Sequence, residues 1–244
     1  MLSPEESQFF YACQQGDYVV VERLLREVGI SSNSCDEEGI TGLHWAALGN
    51  HIGVVKLLLK YNAKRDAIGG ILKATPLHWA IRHGASLAVA ELLGIEVDEN
   101  VTNLNSLSPI SKLSRGEILH LVLIPDSQGL QALHTAAAFD KHFEAMLILC
   151  LVEKKNFQMD LIRNLEQNNN SNESQNVTLY NNLEDIEFDV DARDVVTGRT
   201  ALTWACAVSL TSIPIITILL RYGANPNIVD NEHKTPLHWA VFHV

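Results

Sequence analysis

Histidines and tryptophans recur together in this sequence, and both residue types can form functional sites. Imidazoles bind metal ions, and indoles anchor peptide segments. A metal site needs ligands that converge within a few ångströms, whereas equivalent side chains on neighbouring packed helices stand about 8–10 Å apart. We therefore expect no metal site. The aligned residues are His44, His78, His134 and His238, followed by Trp45, Trp79, Trp204 and Trp239.

The four cysteines could supply a nucleophile or a redox pair. They form no Cys-x-x-Cys pair, and the sequence contains no Gly-x-Ser-x-Gly motif and no phosphate-binding loop. Reduced thiols of a cytosolic protein are the simpler interpretation. We expect no catalytic residue and no cofactor, so an enzyme in its own right has no support from the residues. The cysteines are Cys13, Cys35, Cys150 and Cys206.

The composition limits the partners. The 244 residues carry 18 Lys and Arg against 29 Asp and Glu, a formal net charge of −11. This charge argues against nucleic acid or an anionic membrane surface as the main partner. No segment reaches the roughly 18–20 apolar residues that a membrane-spanning helix needs, so direct membrane insertion of this segment is not expected.

The histidines and tryptophans belong to a repeated hexapeptide. Thr-Pro-Leu-His-Trp-Ala stands at 75–80 and returns at 235–240. Looser copies occupy 41–46 and 200–205, and a weaker one occupies 131–136. The first two of the five copies along the chain are 34 residues apart and the last two are 35 apart. A recurrent period in this range indicates an array of stacked units.

The hexapeptide predicts the start of a helix. A threonine before an apolar run caps a helix with its hydroxyl, and a proline at the next position costs no helical hydrogen bond. The small alanine lets another helix approach closely. The repeat resembles the ankyrin repeat, in which a turn leads into two antiparallel helices. By that resemblance, the histidine ties one repeat to the next. The motif residues are Thr75, Pro76, His78, His44, His134, Thr235 and His238.

We therefore predict an all-α ankyrin-repeat solenoid of helix-turn-helix units. It contains two insertions, an irregular one at 96–125 and an asparagine-rich, disordered one at 153–188. Within the first insertion, residues 117–124 could form a short strand or a buried helical turn. The last repeat, 230–244, is incomplete, which suggests either a fragment of a longer product or a frayed end. The single array covers 5–244, with repeats at about 5–35, 36–66, 67–95, 126–152 plus 189–193, 194–229 and 230–244.

The aligned tryptophans allow two interpretations. They could form a core ladder, because each indole removes roughly 150–250 Å² from water. Alternatively, some indole edges reach the concave groove of the solenoid and hold a peptide. Trp79 is the best candidate for this role, with Trp45 beside it, because an intact repeat precedes Trp79 and a degenerate one follows it.

The recurring Leu-His-Trp-Ala core resembles a narrower family, the ankyrin region of DHHC-type protein palmitoyltransferases. The segments 12–17, 42–46 and 73–80 are similar to its fungal members. The resemblance implies an N-terminal region that faces the cytosol, on a Golgi or endosomal membrane, and recruits protein substrates. In that family, membrane helices and an Asp-His-His-Cys segment follow and carry the acyl transfer, but this sequence contains no Asp-His-His-Cys.

Only the recruiting groove carries over to this chain. The resemblance implies that Trp79 contacts extended peptide segments of protein partners, with Asn50 as a hydrogen-bonding companion. The main hypothesis is a substrate-recruiting module, present as a fragment or truncated product that lacks the catalytic part. The alternative is a standalone cytoplasmic ankyrin scaffold unrelated to acylation.

Overall fold

The computed structural model describes residues 2–95, 97, 111–153, 188–208 and 212–242. The part of the chain that it describes is built from helices, joined by turns and three isolated β-bridges. Much of the asparagine-rich insertion predicted at 153–188 lies outside these residues, as does most of 96–110.

The helices form two layers. The first helix of each unit packs on the first helix of the next, and the second helices stack in the same way. The first helices are α1 (Pro4–Gln15), α3 (Gly42–Leu48), α5 (Pro76–His83), α8 (Ala132–Ala138), α10 (Ala201–Val208) and α12 (Pro236–Val241). The second helices are α2 (Tyr18–Arg23), extended by a π-helical turn (Leu24–Val28), α4 (Ile52–Lys60), α6 (Ser86–Leu92), α9 (His142–Glu153) and α11 (Ile213–Arg221).

The alanine that ends each hexapeptide explains how closely the first helices pack. Ala46, Ala80, Ala136 and Ala205 are all fully buried. A larger side chain at these positions would force the stacked helices apart, because protein interiors are close-packed. The small residue therefore sets the spacing of the array.

One helix interrupts the repeat pattern. The prediction of an irregular 96–125 segment is wrong over α7 (Arg115–Leu123), which packs against α8 and α9. Ser114 and Glu117 cap it reciprocally, since each side chain bonds the other residue's backbone N–H. The stack itself passes directly from α5 to α8, so this insertion lies beside the array without breaking it.

The last helix differs from its equivalents. Leu237 of α12 is 70% exposed, whereas Leu43 and Leu77 at the same repeat position are buried. Within the described residues, α12 packs on α10 and on no other helix to a comparable extent. Val241 and Phe242, at its C-terminal end, are exposed. Packing by the next unit is what buries this leucine elsewhere in the array.

Candidate functional site: two tryptophan pairs on a histidine ladder

Three of the aligned histidines link consecutive units. The Nε2 atom of His44 lies 3.1 Å from the carbonyl oxygen of Ala74, which ends the turn of the next unit. His78 makes the same contact with Leu130 at 2.9 Å, and His134 with Ala192 at 2.8 Å. All three imidazoles are buried. Each histidine therefore satisfies a carbonyl at the boundary between units.

The other ring nitrogen identifies the tautomer. The backbone N–H of Thr41 donates to Nδ1 of His44 at 3.1 Å, and the Thr41 hydroxyl lies 2.9 Å from the same atom. Because a backbone N–H can only donate, Nδ1 accepts and the proton sits on Nε2. Burial lowers the pKa of His44 to about 4, so the ring is neutral at physiological pH. Burial also lowers the pKa of His78 and His134.

The helix cap contains the predicted hydrogen bond and a second one. The Thr75 hydroxyl accepts the backbone N–H of His78 at 3.5 Å and lies 2.8 Å from Nδ1 of the same residue's ring. Because Nδ1 accepts the Thr75 N–H, it carries no proton, and the hydroxyl donates to it. In the last unit, Thr235 and His238 repeat this pairing in an exposed setting.

Trp45 and Trp79 form an open pair. Their rings meet edge to face, with centroids 5.4 Å apart, and His44 lies 5.2 Å from the Trp79 ring. Both tryptophans are half-buried. Among the described residues, no acceptor bonds either indole N–H, and neither is a buried unpartnered group. Both donors could therefore bond a ligand.

The turns beside this pair form its walls. A Cβ on Gly70 would lie 3.2 Å from the Trp79 ring, so the turn approaches the indole closely. Gly70 also donates its backbone N–H to the Glu38 carbonyl at 2.9 Å, which joins this turn to the preceding one. Ile68 and Ile71 project from the same turn and are 50% and 86% exposed. The indoles therefore sit beside an exposed apolar rim.

Asn50 serves the scaffold in this structure. It adopts the left-handed conformation, with φ 55°, at the end of α3. Its side-chain oxygen accepts the backbone N–H of Ala88 at 2.9 Å, which ties two units together. The role predicted for Asn50 as a companion of Trp79 remains a hypothesis.

Trp204 and Trp239 form a closed pair. The guanidinium carbon of Arg199 lies 5.0 Å from the centroid of Trp204 and 3.9 Å from that of Trp239. Each indole N–H donates to a carboxylate of its own unit, Trp204 to Asp194 at 3.0 Å and Trp239 to Asp230 at 2.7 Å. The chain thus supplies both a cation and acceptors for this pair.

The two carboxylates are held in the charged form. Burial raises the pKa of Asp194, but hydrogen bonds from Thr197, Trp204 and the Arg199 backbone outweigh it and leave the pKa lowered. The pKa of Asp230 is likewise lowered, against the effect of burial, by bonds from the backbone, Trp239 and Arg199. Charged acceptors strengthen the indole hydrogen bonds.

Sequence reasoning missed these partners of the closed pair. An aspartate precedes Trp45 and Trp239 by nine residues and Trp204 by ten. That spacing would have pointed to Asp194 and Asp230. Nothing in the hexapeptide itself points to Arg199, which lies just before the copy at 200–205.

No group of three or more metal-ligating side chains occurs in the described part of the chain. No helix within the described ranges is long and apolar enough to cross a bilayer. Burial raises the pKa of the Cys13 thiol to about 12, which disfavours a nucleophilic thiolate at that position.

Sequence comparison confirms the predicted resemblance to palmitoyltransferases. Palmitoyltransferase AKR1 of Lachancea kluyveri is 29% identical over 239 residues, which cover 97% of this chain and 25% of that protein. The putative palmitoyltransferase ZDHHC13 of Danio rerio is 28% identical over 97% of this chain and 33% of its own length. Palmitoyltransferase Hip14 of Drosophila melanogaster is 39% identical over 99 residues, covering 41% of this chain and 15% of that protein. The chain therefore spans a third or less of these relatives.

Solved structures and a family model agree on the fold. The ankyrin repeat domain of Bcl-3 superposes with a TM-score of 0.61 at 22% identity, covering 96% of this chain and 78% of that one. An ankyrin repeat domain of Acinetobacter baumannii gives 0.63 at 18% identity, over 96% and 90%. The ankyrin-repeat model matches residues 9–105 and 161–243. The stacked helix pairs, the histidine ladder and this match together establish that the chain belongs to the ankyrin-repeat family.

Proposed function

We propose that this chain is a peptide-binding module and that the Trp45–Trp79 pair holds extended segments of protein partners. The observation that carries the proposal is the open state of this pair. Both indoles are half-buried, and neither N–H has an acceptor within the described ranges. The turn at Gly70 approaches Trp79 closely, and the next residue in this turn, Ile71, is 86% exposed. Aromatic anchors with polar handles dominate binding energy at protein interfaces.

The relatives suggest what the module serves. Since they are palmitoyltransferases, and the chain spans a quarter to a third of AKR1 and ZDHHC13, we propose that it is the substrate-recruiting region of such an enzyme. Its place would then be the cytosolic face of an internal membrane, Golgi or endosomal. Without this connection it would act as a cytoplasmic adaptor.

Recruitment does not require this chain to perform acyl transfer. The sequence contains no Asp-His-His-Cys. Two of its cysteines, Cys13 and Cys206, are buried, and burial raises the pKa of both thiols. A thiol that stays protonated is a poor acyl acceptor. We therefore propose a binding role alone, and acyl transfer by the purified chain to a cysteine peptide would contradict it.

The test is selection of peptides on the purified chain. A phage-displayed library of random 12-residue peptides is selected on residues 1–244, and the enriched peptides are synthesised with a fluorescent label. Binding is then measured by fluorescence polarisation. We expect Trp79→Ala to weaken binding by roughly tenfold or more, as for an interface hot spot.

A control separates binding from folding. Thermal unfolding of Trp79→Ala is followed by circular dichroism and should remain cooperative. If the variant loses cooperativity, Trp79 is a core residue and the ladder interpretation is correct. If it stays folded and binds the peptides unchanged, the Trp45–Trp79 pair is not the binding site.

A further inference from the structure

In the closed pair, a cationic side chain of the protein itself stacks on the indole faces. The Arg199 guanidinium lies between Trp204 and Trp239, and its Nε donates to the Asp230 carboxylate at 3.4 Å. Lys234 adds a second cation, with Nζ 4.5 Å from the Trp239 centroid. Cations are attracted to indole faces by the ring quadrupole. Two indoles of this repeat position, with an aspartate of the turn, can therefore bind a guanidinium.

The open pair lacks that internal cation. Arg199 and Lys234 each occupy the position just before the threonine of the hexapeptide. In the units of Trp45 and Trp79, the same position holds Ile40 and Ala74. Consequently no side chain of the described residues places a positive charge on either ring.

An unused carboxylate oxygen accompanies the open pair. One oxygen of Asp36 accepts the backbone N–H groups of Glu38 and Ile40 at 2.9 and 2.8 Å. No group in the described part of the chain donates to the other oxygen, which in Asp194 and Asp230 receives the indole N–H. Asp36 lies close enough to His44 to raise the pKa of that ring against the effect of burial, and His44 packs on Trp79.

From this pattern we infer that the Trp45–Trp79 site takes a peptide segment bearing an arginine, whose guanidinium stacks on an exposed indole face and pairs with Asp36. The inference rests on the proposed function and names the chemistry of its partner. Glu38, exposed on the same turn, adds negative charge at the site. The net charge of −11 favours approach of a basic segment.

Arginine fits this site better than lysine. Its planar guanidinium stacks on aromatic faces and pairs with a carboxylate through a fork of donors, whereas an ammonium is a compact, strongly hydrated point charge. Because Trp45 and Trp79 touch each other, the guanidinium would stack on an outward face and would not enter between the rings. The exposed Ile71 would contact an apolar neighbour of the arginine.

The experiment extends the peptide selection. Enriched peptides are synthesised in pairs with arginine or citrulline, its neutral isostere, and each is titrated against wild type, Asp36→Asn and Glu27→Gln. Asp36→Asn keeps the oxygen that accepts the two backbone N–H groups. Glu27 is an exposed acid on the first unit, so Glu27→Gln is the matched control.

We expect arginine to be enriched, and citrulline to weaken binding to wild type by roughly tenfold. Asp36→Asn should reduce that difference to about twofold, while Glu27→Gln should leave it unchanged. Raising the salt concentration should weaken the arginine peptide more than the citrulline peptide.

Two other outcomes are distinguishable. Peptides that depend on Trp79 but lack an enriched arginine, or that tolerate citrulline, would overturn this inference and leave the proposed function standing. A selection that gives no peptide dependent on Trp79 would overturn both.

Discussion

The Trp45–Trp79 pair and the Trp204–Trp239 pair occupy the same repeat position, yet their surroundings are opposite. In the first pair the rings touch each other, and neither indole N–H has an acceptor among the residues that the structure describes. In the second, Arg199 separates the rings and two aspartates accept the N–H groups. The hexapeptide therefore places the indole, whereas residues in the preceding turn decide whether its N–H and its ring faces are available to a ligand.

The histidine ladder differs between the same two regions. His44 and His78 are buried links in the first, whereas the equivalent residue beside Trp204 is Thr203, which bonds Thr200 at 3.1 Å. His238, beside Trp239, is exposed. The N-terminal units therefore combine an open tryptophan pair with buried histidines between the units. The C-terminal units combine a closed pair with a threonine and an exposed histidine at the equivalent positions.

Acidification should produce the largest difference. The pKa of His44 is about 4 in the folded chain, against an ordinary value of 6.5 that applies to the unfolded chain. Between these two values the unfolded state binds more protons, so stability falls as the pH falls from 6.5 to 4. Over this pH range, His44 alone should lower the free energy of unfolding by about 3 kcal/mol. Hydrogen exchange at pH 7.5 and pH 5, corrected for intrinsic rates, should show lost protection in α3 and α5 but not in α10. Equal loss in all three helices would contradict the comparison.

Removal of a turn carboxylate should rank next. Asp194→Ala leaves the Trp204 indole and the backbone N–H groups of Val196 and Arg199 without their acceptor, so we expect a loss of about 3 kcal/mol. Asp36→Ala removes the acceptor of two backbone N–H groups and no indole partner, and should cost about 1 kcal/mol. Denaturant unfolding measures both, and similar losses would mean that Trp45 also depends on its aspartate.

Replacement of the cation in the closed pair should lower stability somewhat less. Arg199→Gln removes the stacked cation and its bond to Asp230, and we expect a loss of about 2 kcal/mol. The control is Arg26→Gln, whose pair with Glu27 is exposed and should change stability by less than about 0.5 kcal/mol. The measurement is urea unfolding at low and high salt. A neutral effect of Arg199→Gln would show that the cation contributes nothing to closing the pair.

The smallest effect is the difference between two tryptophan replacements. Trp204→Ala loses a charged hydrogen bond and a cation–π contact that Trp79 does not make, so it should cost about 1–2 kcal/mol more than Trp79→Ala. Thermal unfolding of the two variants measures the difference. If Trp79→Ala is the more destabilising change, the N-terminal pair is core and not surface.

Much of the fold was predictable from the hexapeptide. Its threonine, histidine and alanine specify a cap, a link and a close helix contact, and these recur because each unit packs only on its neighbours. Because helix α7 lies outside the period, the sequence left a short strand and a buried helical turn open there, although Ser114 and Glu117 carry a capping-box spacing that favours the helix. Repeat logic alone does not predict such an inserted helix.

The two states of the tryptophans were not predictable from their shared position. Whether an indole is available depends on the residue five positions earlier, which is Arg199 for Trp204 and Ile40 for Trp45. It also depends on which neighbouring group the indole contacts. Trp45 has an aspartate at the favourable spacing, yet its ring contacts Trp79 and not Asp36. Such a choice between neighbouring partners depends on packing between units, which a single unit's sequence does not contain.

The most direct test of the central claim is solvent exchange of the four indole N–H groups, measured by NMR on the ¹⁵N-labelled chain. We expect fast exchange for Trp45 and Trp79 and slow exchange for Trp204, with Trp239 also protected through Asp230. Comparable exchange at Trp79 and Trp204, or protection of Trp79 alone, would contradict the division into an open and a closed pair.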